Sequence, residues 1–456
     1  MLLVSVHSTW ELIGRQHFLR CPTTKEWIRF STYARRVRAF HAYDSGRTEA
    51  SSGAYNLLSM QTRTLGHHIL PNLHAIRWEP PTWDLMPFLR LFMNPGLVSV
   101  HIGFPDETPH LYHPGTISLI PTRDLEHLRL EGAEGGEGFL DALYNLLDCG
   151  SETLRSVYSD GELSVTVAEK LLQLPALRCL GVRLPEARIS PPAVAFPSLE
   201  VLDVICTEPE SWLHVLQNIP NPALRELDVT FMGSSPTCLP ALGLSLFLSN
   251  IHQTLTSLAC SFGGITTLEK LGMRLLPHFR WLAKLTLLSQ CTTERCSVQL
   301  DDSIISELAV SLPQLTSLSL GGIPCEAATS DVTFLSLIAL SSNCVDLDFL
   351  QLHFNADDIV TRPTHANSPT QTFTCKLRTL SVGSQPLSSK RDDILLVTFT
   401  ILRIFPNVVT IRSSEGPSRR HWERVWRGVQ LFRKSSKIIP PSDREPIGLG
   451  HGGAEP

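Results

Sequence analysis

Apolar residues recur along the chain in a short fixed pattern, L-x-x-L-x-L, with Leu, Ile, Val or an aromatic at each L. Leu73-Ile76-Trp78 is the first copy, followed by Leu97-Val100-Ile102 and Leu125-Leu128-Leu130. Leu154-Val157 begins a weaker copy, with Ser159 in the third slot. Leu177-Leu180-Val182, Leu199-Leu202-Val204, Leu224-Leu227-Val229, Leu255-Leu258-Cys260 and Leu282-Leu285-Leu287 come next. The last four are Leu315-Leu318-Leu320, Leu347-Leu350-Leu352, Leu377-Leu380-Val382 and the degenerate Val408-Ile411-Ser413. Spacing runs from 22 residues (Leu177 to Leu199) to 33 (Leu282 to Leu315). Alternation inside each copy predicts a short strand with one apolar face.

Between the strands, apolar residues fall three and four apart, as on one face of a helix. Phe139-Leu140-Leu143-Leu146-Leu147 and Val167-Leu171-Leu172 are two such stretches. Asp301-Asp302-Ser303 before Ile304-Ile305-Leu308, and Asp392-Asp393 before Ile394, are predicted helix starts, where side-chain oxygens accept from the first amides. Pro71, Pro175, Pro197, Pro313 and Pro406 precede strands and stop helices, because proline lacks the amide donor. Regular strand–loop–helix units at this period are the signature of an α/β leucine-rich-repeat solenoid. The expectation is a horseshoe of about 13 units, with parallel strands on the concave side and helices on the convex side. The expected organisation is an N-terminal segment and cap over 1–69, the solenoid over 70–415, a capping helix over 416–434 and a disordered tail over 435–456. Trp27, Phe30 and Tyr33 are expected to pack the N-terminal cap, and Trp422, Val425, Trp426 and Val429 share one face of the C-terminal helix.

In such a strand, the residue between the last two template positions points away from the core onto the concave sheet. Read in order, this row is Arg77, His101, Arg129, Tyr158, Gly181, Asp203, Asp228, Ala259, Thr286, Ser319, Gln351, Ser381 and Arg412. It starts basic or titratable, turns acidic at Asp203 and Asp228, with Glu226 earlier on the same strand, and ends in Ser, Thr and Gln. A face that changes sign along its length suits a protein with complementary charge blocks. Arg77, His101, Arg129, Asp203, Glu226 and Asp228 are therefore the candidate partner contacts.

Composition narrows the function classes. The 456 residues are 43% hydrophobic and 18% charged, with a net charge of −5. With a pI of about 6.4, the chain lacks the basic excess of a nucleic-acid binder. Eleven loosely spaced cysteines and no unobstructed Asn-x-Ser/Thr acceptor favour a reducing, cytoplasmic or nuclear setting over a disulfide scaffold. No run of eighteen apolar residues predicts a membrane span, and Met1–Val6 lacks the charged start of a signal peptide. The stretch Glu131-Gly132-Ala133-Glu134-Gly135-Gly136-Glu137-Gly138 lacks the Lys-Ser/Thr of a phosphate loop and reads as a flexible acidic loop. Cys291 and Cys296 have no matched second pair for zinc, and His67-His68 has no glutamate at catalytic spacing. The expectation is a binding protein with no catalytic residues, no cofactor and no metal.

Trp27-Ile28-Arg29-Phe30-x-x-Tyr33-Ala34-Arg35-Arg36-Val37-Arg38, with Leu70-Pro71-Asn72-Leu73 and Arg77-Trp78, resembles a fungal class of F-box proteins carrying leucine-rich repeats. The resemblance extends from about residue 20 to 435. It implies the substrate-recognition part of a Skp–cullin–F-box ubiquitin ligase, whose F-box docks on a Skp-type adaptor while the repeats recruit the protein to be ubiquitinated. The F-box itself, with its Leu-Pro-x-Glu-Leu/Ile-type start, is missing from this sequence. A Skp-type adaptor is thus a partner only if an F-box lies upstream. The other reading is a free-standing leucine-rich-repeat scaffold or inhibitor with no ubiquitin role.

Overall fold

The computed structural model describes residues 10–13, 15–18, 22–43, 49–50, 52–65, 68–105, 112–132, 136–187, 189, 196–207, 213, 216–217, 223–232, 242, 245–246, 248, 250–262, 276–289, 300–321, 331–356, 374–382, 387, 389–413 and 419–438. The chain divides into two compact units, Met1–Gly264 and Ile265–Pro456.

In the first unit, β1 (Trp10–Ile13) and β2 (Arg15–Phe18) form an antiparallel pair, and β4 (Glu49–Ala50) joins β2 in parallel. The repeat strands are β3 (Ala39–Tyr43), β5 (Ala75–Glu79), β6 (Ser99–Gly103), β7 (His127–Glu131), β8 (Ser156–Glu162), β9 (Cys179–Arg183), β10 (Val201–Cys206), β11 (Glu226–Phe231) and β12 (Ser257–Phe262). Each pairs in parallel with the next. In the second unit, β13 (Lys284–Ser289), β14 (Ser317–Leu320), β15 (Phe349–Leu352), β16 (Thr379–Ser381) and β17 (Thr410–Arg412) do the same. The fold is a leucine-rich-repeat array, and each of β5 to β17 carries one copy of the sequence template. A further strand, β3, precedes the first copy and adds its edge to β5.

The register explains the template. Leu180, Leu202, Leu227 and Leu258 occupy equivalent positions on adjacent strands, as do Val182, Val204, Val229 and Cys260. All eight are buried, at 4% exposure or less, so each unit covers its neighbour's apolar face. Ser159, the weak third-slot residue, is 1% exposed, and its hydroxyl has no hydrogen-bond partner among the described residues. Stacking also satisfies backbone groups between units. Asn94 donates from Nδ2 to the carbonyls of Leu70 (3.0 Å) and Leu73 (3.2 Å), and Asn407 donates to that of Cys375 (2.9 Å). Cys344 and Cys375 occupy comparable places, each thiol directed at two carbonyls of the preceding repeat. Cys149, Cys179, Cys206, Cys260, Cys344 and Cys375 are free thiols.

The helices supply the second layer. Asp301 caps the helix Asp302–Ser311 by accepting from the Ile304 amide at 3.0 Å. Asp302 reaches the next helix, Phe334–Asn343, accepting from the Thr333 amide at 2.7 Å and from the hydroxyls of Thr333 and Ser336. Asp392 and Asp393 do not cap: Lys390 is the cap residue, and both aspartates lie in the first turn of Arg391–Ile404. Their charge there complements the helix dipole. Near the start of the chain, Thr23 and Glu26 close a capping box on the helix Thr24–Ala34. Trp27 and Phe30 meet edge to face at 5.2 Å, whereas Tyr33 is 36% exposed rather than packed. Trp78, fully buried, meets the rings of Phe40 and Phe92 at a tilt and that of Tyr55 edge to face. The helix Arg419–Ile438 buries Trp422, Val425 and Val429. Trp426 instead stays 38% exposed and donates from its indole to the Val409 carbonyl at 3.2 Å. The helix runs four residues past 434, where the tail is expected to begin, because its period continues to Ile438; residues 439–456 lie outside the described residues, as do His67, Cys291 and Cys296.

Candidate functional site

The expected row exists as a register line across the sheet face turned away from the core. In the first unit His41, Arg77, His101, Arg129, Tyr158, Gly181, Asp203, Asp228 and Ala259 sit side by side on successive strands. In the second unit the line is Thr286, Ser319, Gln351, Ser381 and Arg412. Parallel pairing without register slips along these positions keeps each marker residue about 4.8 Å from the next.

At β5 to β7 the row is a closed ionic cluster. Arg77 donates from Nε to Glu79 Oε1 at 2.8 Å. Arg129 holds Glu131 Oε1 through Nε at 2.7 Å and through a second guanidinium nitrogen. His101 stands between them, its Nε2 3.1 Å from Glu79 Oε1 and 3.0 Å from Glu131 Oε2. Burial alone would push the Glu131 carboxyl up, but hydrogen bonds from Arg129 and His101 prevail and hold it below its ordinary value. Gly103 lies between the two glutamates, and a Cβ there would fall 2.8 Å from Glu79 Cγ. The glycine leaves the lane through which the two side chains converge.

Beyond the cluster, the Arg129 guanidinium lies over the Tyr158 ring, 4.2 Å from its centroid. That ring in turn lies across Gly181, where a Cβ would meet Tyr158 Cδ2 at 2.4 Å. Only glycine at this position lets the tyrosine lie flat along the sheet.

At β10 and β11 the character changes. Asp203 and Asp228 are register partners, and Glu226 follows the same face two residues before Asp228. None of the three has an ion-pair partner among the described residues. Burial pushes the Asp203 carboxyl up, with the charge of Arg129 opposing. Asp228 is pushed up to about 6, first by burial and then by the charge of Asp203 beside it. Asp228 is surface-accessible, yet the side chains along the row remove enough of its hydration to disfavour the anion. The two halves of the row thus differ in kind: Glu79 and Glu131 have their own arginines, whereas Asp203 and Asp228 have no ion-pair partner among the described residues.

No family model and no curated protein matches this chain. Among solved structures it is similar to one titled "Crystal structure of Rad7 and Elc1 complex in yeast", over 79% of this chain and 89% of that chain, at 15% identity and a TM-score of 0.45.

All six sequence candidates lie on the face expected of them, but they separate into two groups. Arg77, His101 and Arg129 are engaged within the molecule, while Asp203, Glu226 and Asp228 have no ion-pair partner among the described residues. Sequence reading missed Glu79 and Glu131. Glu131 belongs to β7, not to a flexible loop, because its backbone pairs with Gly103 and its carboxylate is held by Arg129 and His101. Glu137 and Gly138 likewise belong to the helix Glu137–Cys149, and Ala133–Gly135 lie outside the described residues. The signal that finds both glutamates is the strand period itself: each stands two residues beyond an arginine on the same face. No helix of the described residues is long and apolar enough to cross a membrane.

Proposed function

We propose that this chain is a protein-interaction module whose open strand face captures a protein partner. The observation that carries the reading is the adjacent pair Asp203 and Asp228, with Glu226, which have no ion-pair partner among the described residues on a face where Glu79 and Glu131 have arginines. An arginine or lysine of a partner would supply the missing charge. Arg77 and Arg129, partly exposed farther along the same face, would receive an acidic segment of the same partner. The closest functional class for such a module is the substrate-recognition part of an F-box subunit of a Skp–cullin–F-box ubiquitin ligase. That assignment is supported by the resemblance of the segment from Trp27 to Arg38 and by the repeats.

The test is affinity purification with mass spectrometry, comparing the chain with a variant carrying Asp203→Arg, Glu226→Arg and Asp228→Arg. Specific partners should be lost from the variant while its unfolding profile is retained. Unchanged capture refutes the acidic patch as the contact. A Skp-type adaptor among the captured proteins supports the ligase role, and partners captured without one favour a free-standing scaffold.

A further inference from the structure

We propose that Glu79, His101 and Glu131 form a binding site for a divalent transition-metal ion, with zinc the ion that suits it best. The three residues come from β5, β6 and β7, and one ligand atom of each lies within 4.8 Å of the others. His101 Nε2 is 3.1 Å from Glu79 Oε1 and 3.0 Å from Glu131 Oε2. Ligands on a zinc ion sit at about 2.0–2.2 Å from the metal, which sets neighbouring donors roughly 3–3.5 Å apart. Both contacts to the imidazole already have that spacing, so seating an ion needs only a small approach of the two carboxylates.

A second feature concerns which oxygens face the ring. His101 Nε2 is hydrogen-bonded to Glu131 Oε2, while Glu79 Oε1, 3.1 Å from the same nitrogen, takes its hydrogen bond from Arg77. A metal ion on the imidazole lone pair would be faced by both oxygens at once. One imidazole with two carboxylates favours zinc over calcium or magnesium, which prefer all-oxygen shells.

The surroundings hold the donors in place. Arg77 and Arg129 fix the two carboxylates, as hydrogen-bonded partners commonly do behind metal ligands. Gly103 keeps the space between them open, since a Cβ there would press on Glu79 Cγ at 2.8 Å. The arginines also oppose the ion, because they already neutralise the carboxylates. Binding should therefore be weaker than at sites where metal drives folding. Three protein donors leave a coordination position for water. This assignment does not depend on the protein-interaction reading: it concerns β5 to β7, and its measurement needs no partner.

The test uses the full chain, stripped with a chelator and titrated with zinc by calorimetry. X-ray absorption of the loaded protein then reads the ligand atoms. One equivalent should bind with nitrogen and oxygen ligands and no sulfur, and zinc should raise the melting temperature. His101→Gln should weaken binding at least tenfold and abolish that rise. Gly103→Ala retains all three donors and should still weaken binding by crowding Glu79, so it separates loss of a ligand from loss of the space. No zinc uptake by the wild-type chain, sulfur ligation, or undiminished affinity in His101→Gln would each overturn the proposal.

Discussion

Replacing Asp228 by asparagine should stabilise this protein at neutral pH, because the fold holds an ionised carboxylate where neither hydration nor a counter-ion suffices. Its pKa is raised from 3.8 to about 6, by burial and then by Asp203. A raised value means that the folded state binds the proton more tightly than the unfolded chain does. The ionised group therefore destabilises the fold most above about pH 6. The penalty shrinks as pH falls through that value and vanishes below the ordinary carboxylate range. At about 1.4 kcal/mol per tenfold, the full rise corresponds to about 3 kcal/mol. Asp228 is exposed, and solvent screening reduces this to about 1 kcal/mol. Asn keeps the size and the polar contacts while removing the charge. Urea unfolding followed by tryptophan fluorescence, on wild type and Asp228→Asn at about pH 7.5 and about pH 4.5, measures the difference. The variant should be more stable by about 1 kcal/mol at the higher pH, with the gap narrowing at the lower. A variant less stable than wild type at neutral pH, or a gap that ignores pH, refutes the reasoning. If the acidic patch is a partner contact, the same substitution should weaken capture, so stability and binding would move in opposite directions.

Three further outcomes follow from the packing. Gly181→Val would drive a side chain into the Tyr158 ring, 2.4 Å from where a Cβ falls, and lift Arg129 off its seat; urea unfolding should show a loss of about 1–3 kcal/mol, and an unchanged midpoint would contradict the placement of that ring. Leu227→Ala empties a site that is 1% exposed between the neighbouring strands β10 and β12, and should cost about 2–5 kcal/mol in the same assay. Burial pushes the Cys344 thiol up to about 12 and that of Cys375 up as well, whereas Cys149 is exposed; brief alkylation of the native protein should label Cys149 and spare the other two until denaturant is added, and equal labelling read by peptide mass spectrometry would count against their burial.

The repeat was legible in the sequence for a simple reason. Stacking forces the same three inward positions in every unit, so a local pattern reports a global architecture. The alternation that turns Leu227 and Val229 inward turns Asp228 outward, and the register line from Arg77 to Ala259 is that alternation repeated on eight strands. Caps were harder to place. Asp301 caps its helix, but Asp392 and Asp393 lie inside theirs, because a short run of acids fits the first turn as well as the cap. The exposure of Trp426 also escaped the helical period, which cannot say how wide a buried stripe will be.

Sequence alone determined the inward leucines, the outward row and its change of sign, because each depends on strand alternation within a few residues. Only the tertiary structure decided which charges meet. Glu79, His101 and Glu131 stand on three successive repeat strands, and their convergence depends on parallel register and on the missing side chain of Gly103. The same holds for Asp203 and Asp228, which have no ion-pair partner among the described residues. Composition counts charges, but the neighbours that quench or strand them are set by strands brought together across the sheet.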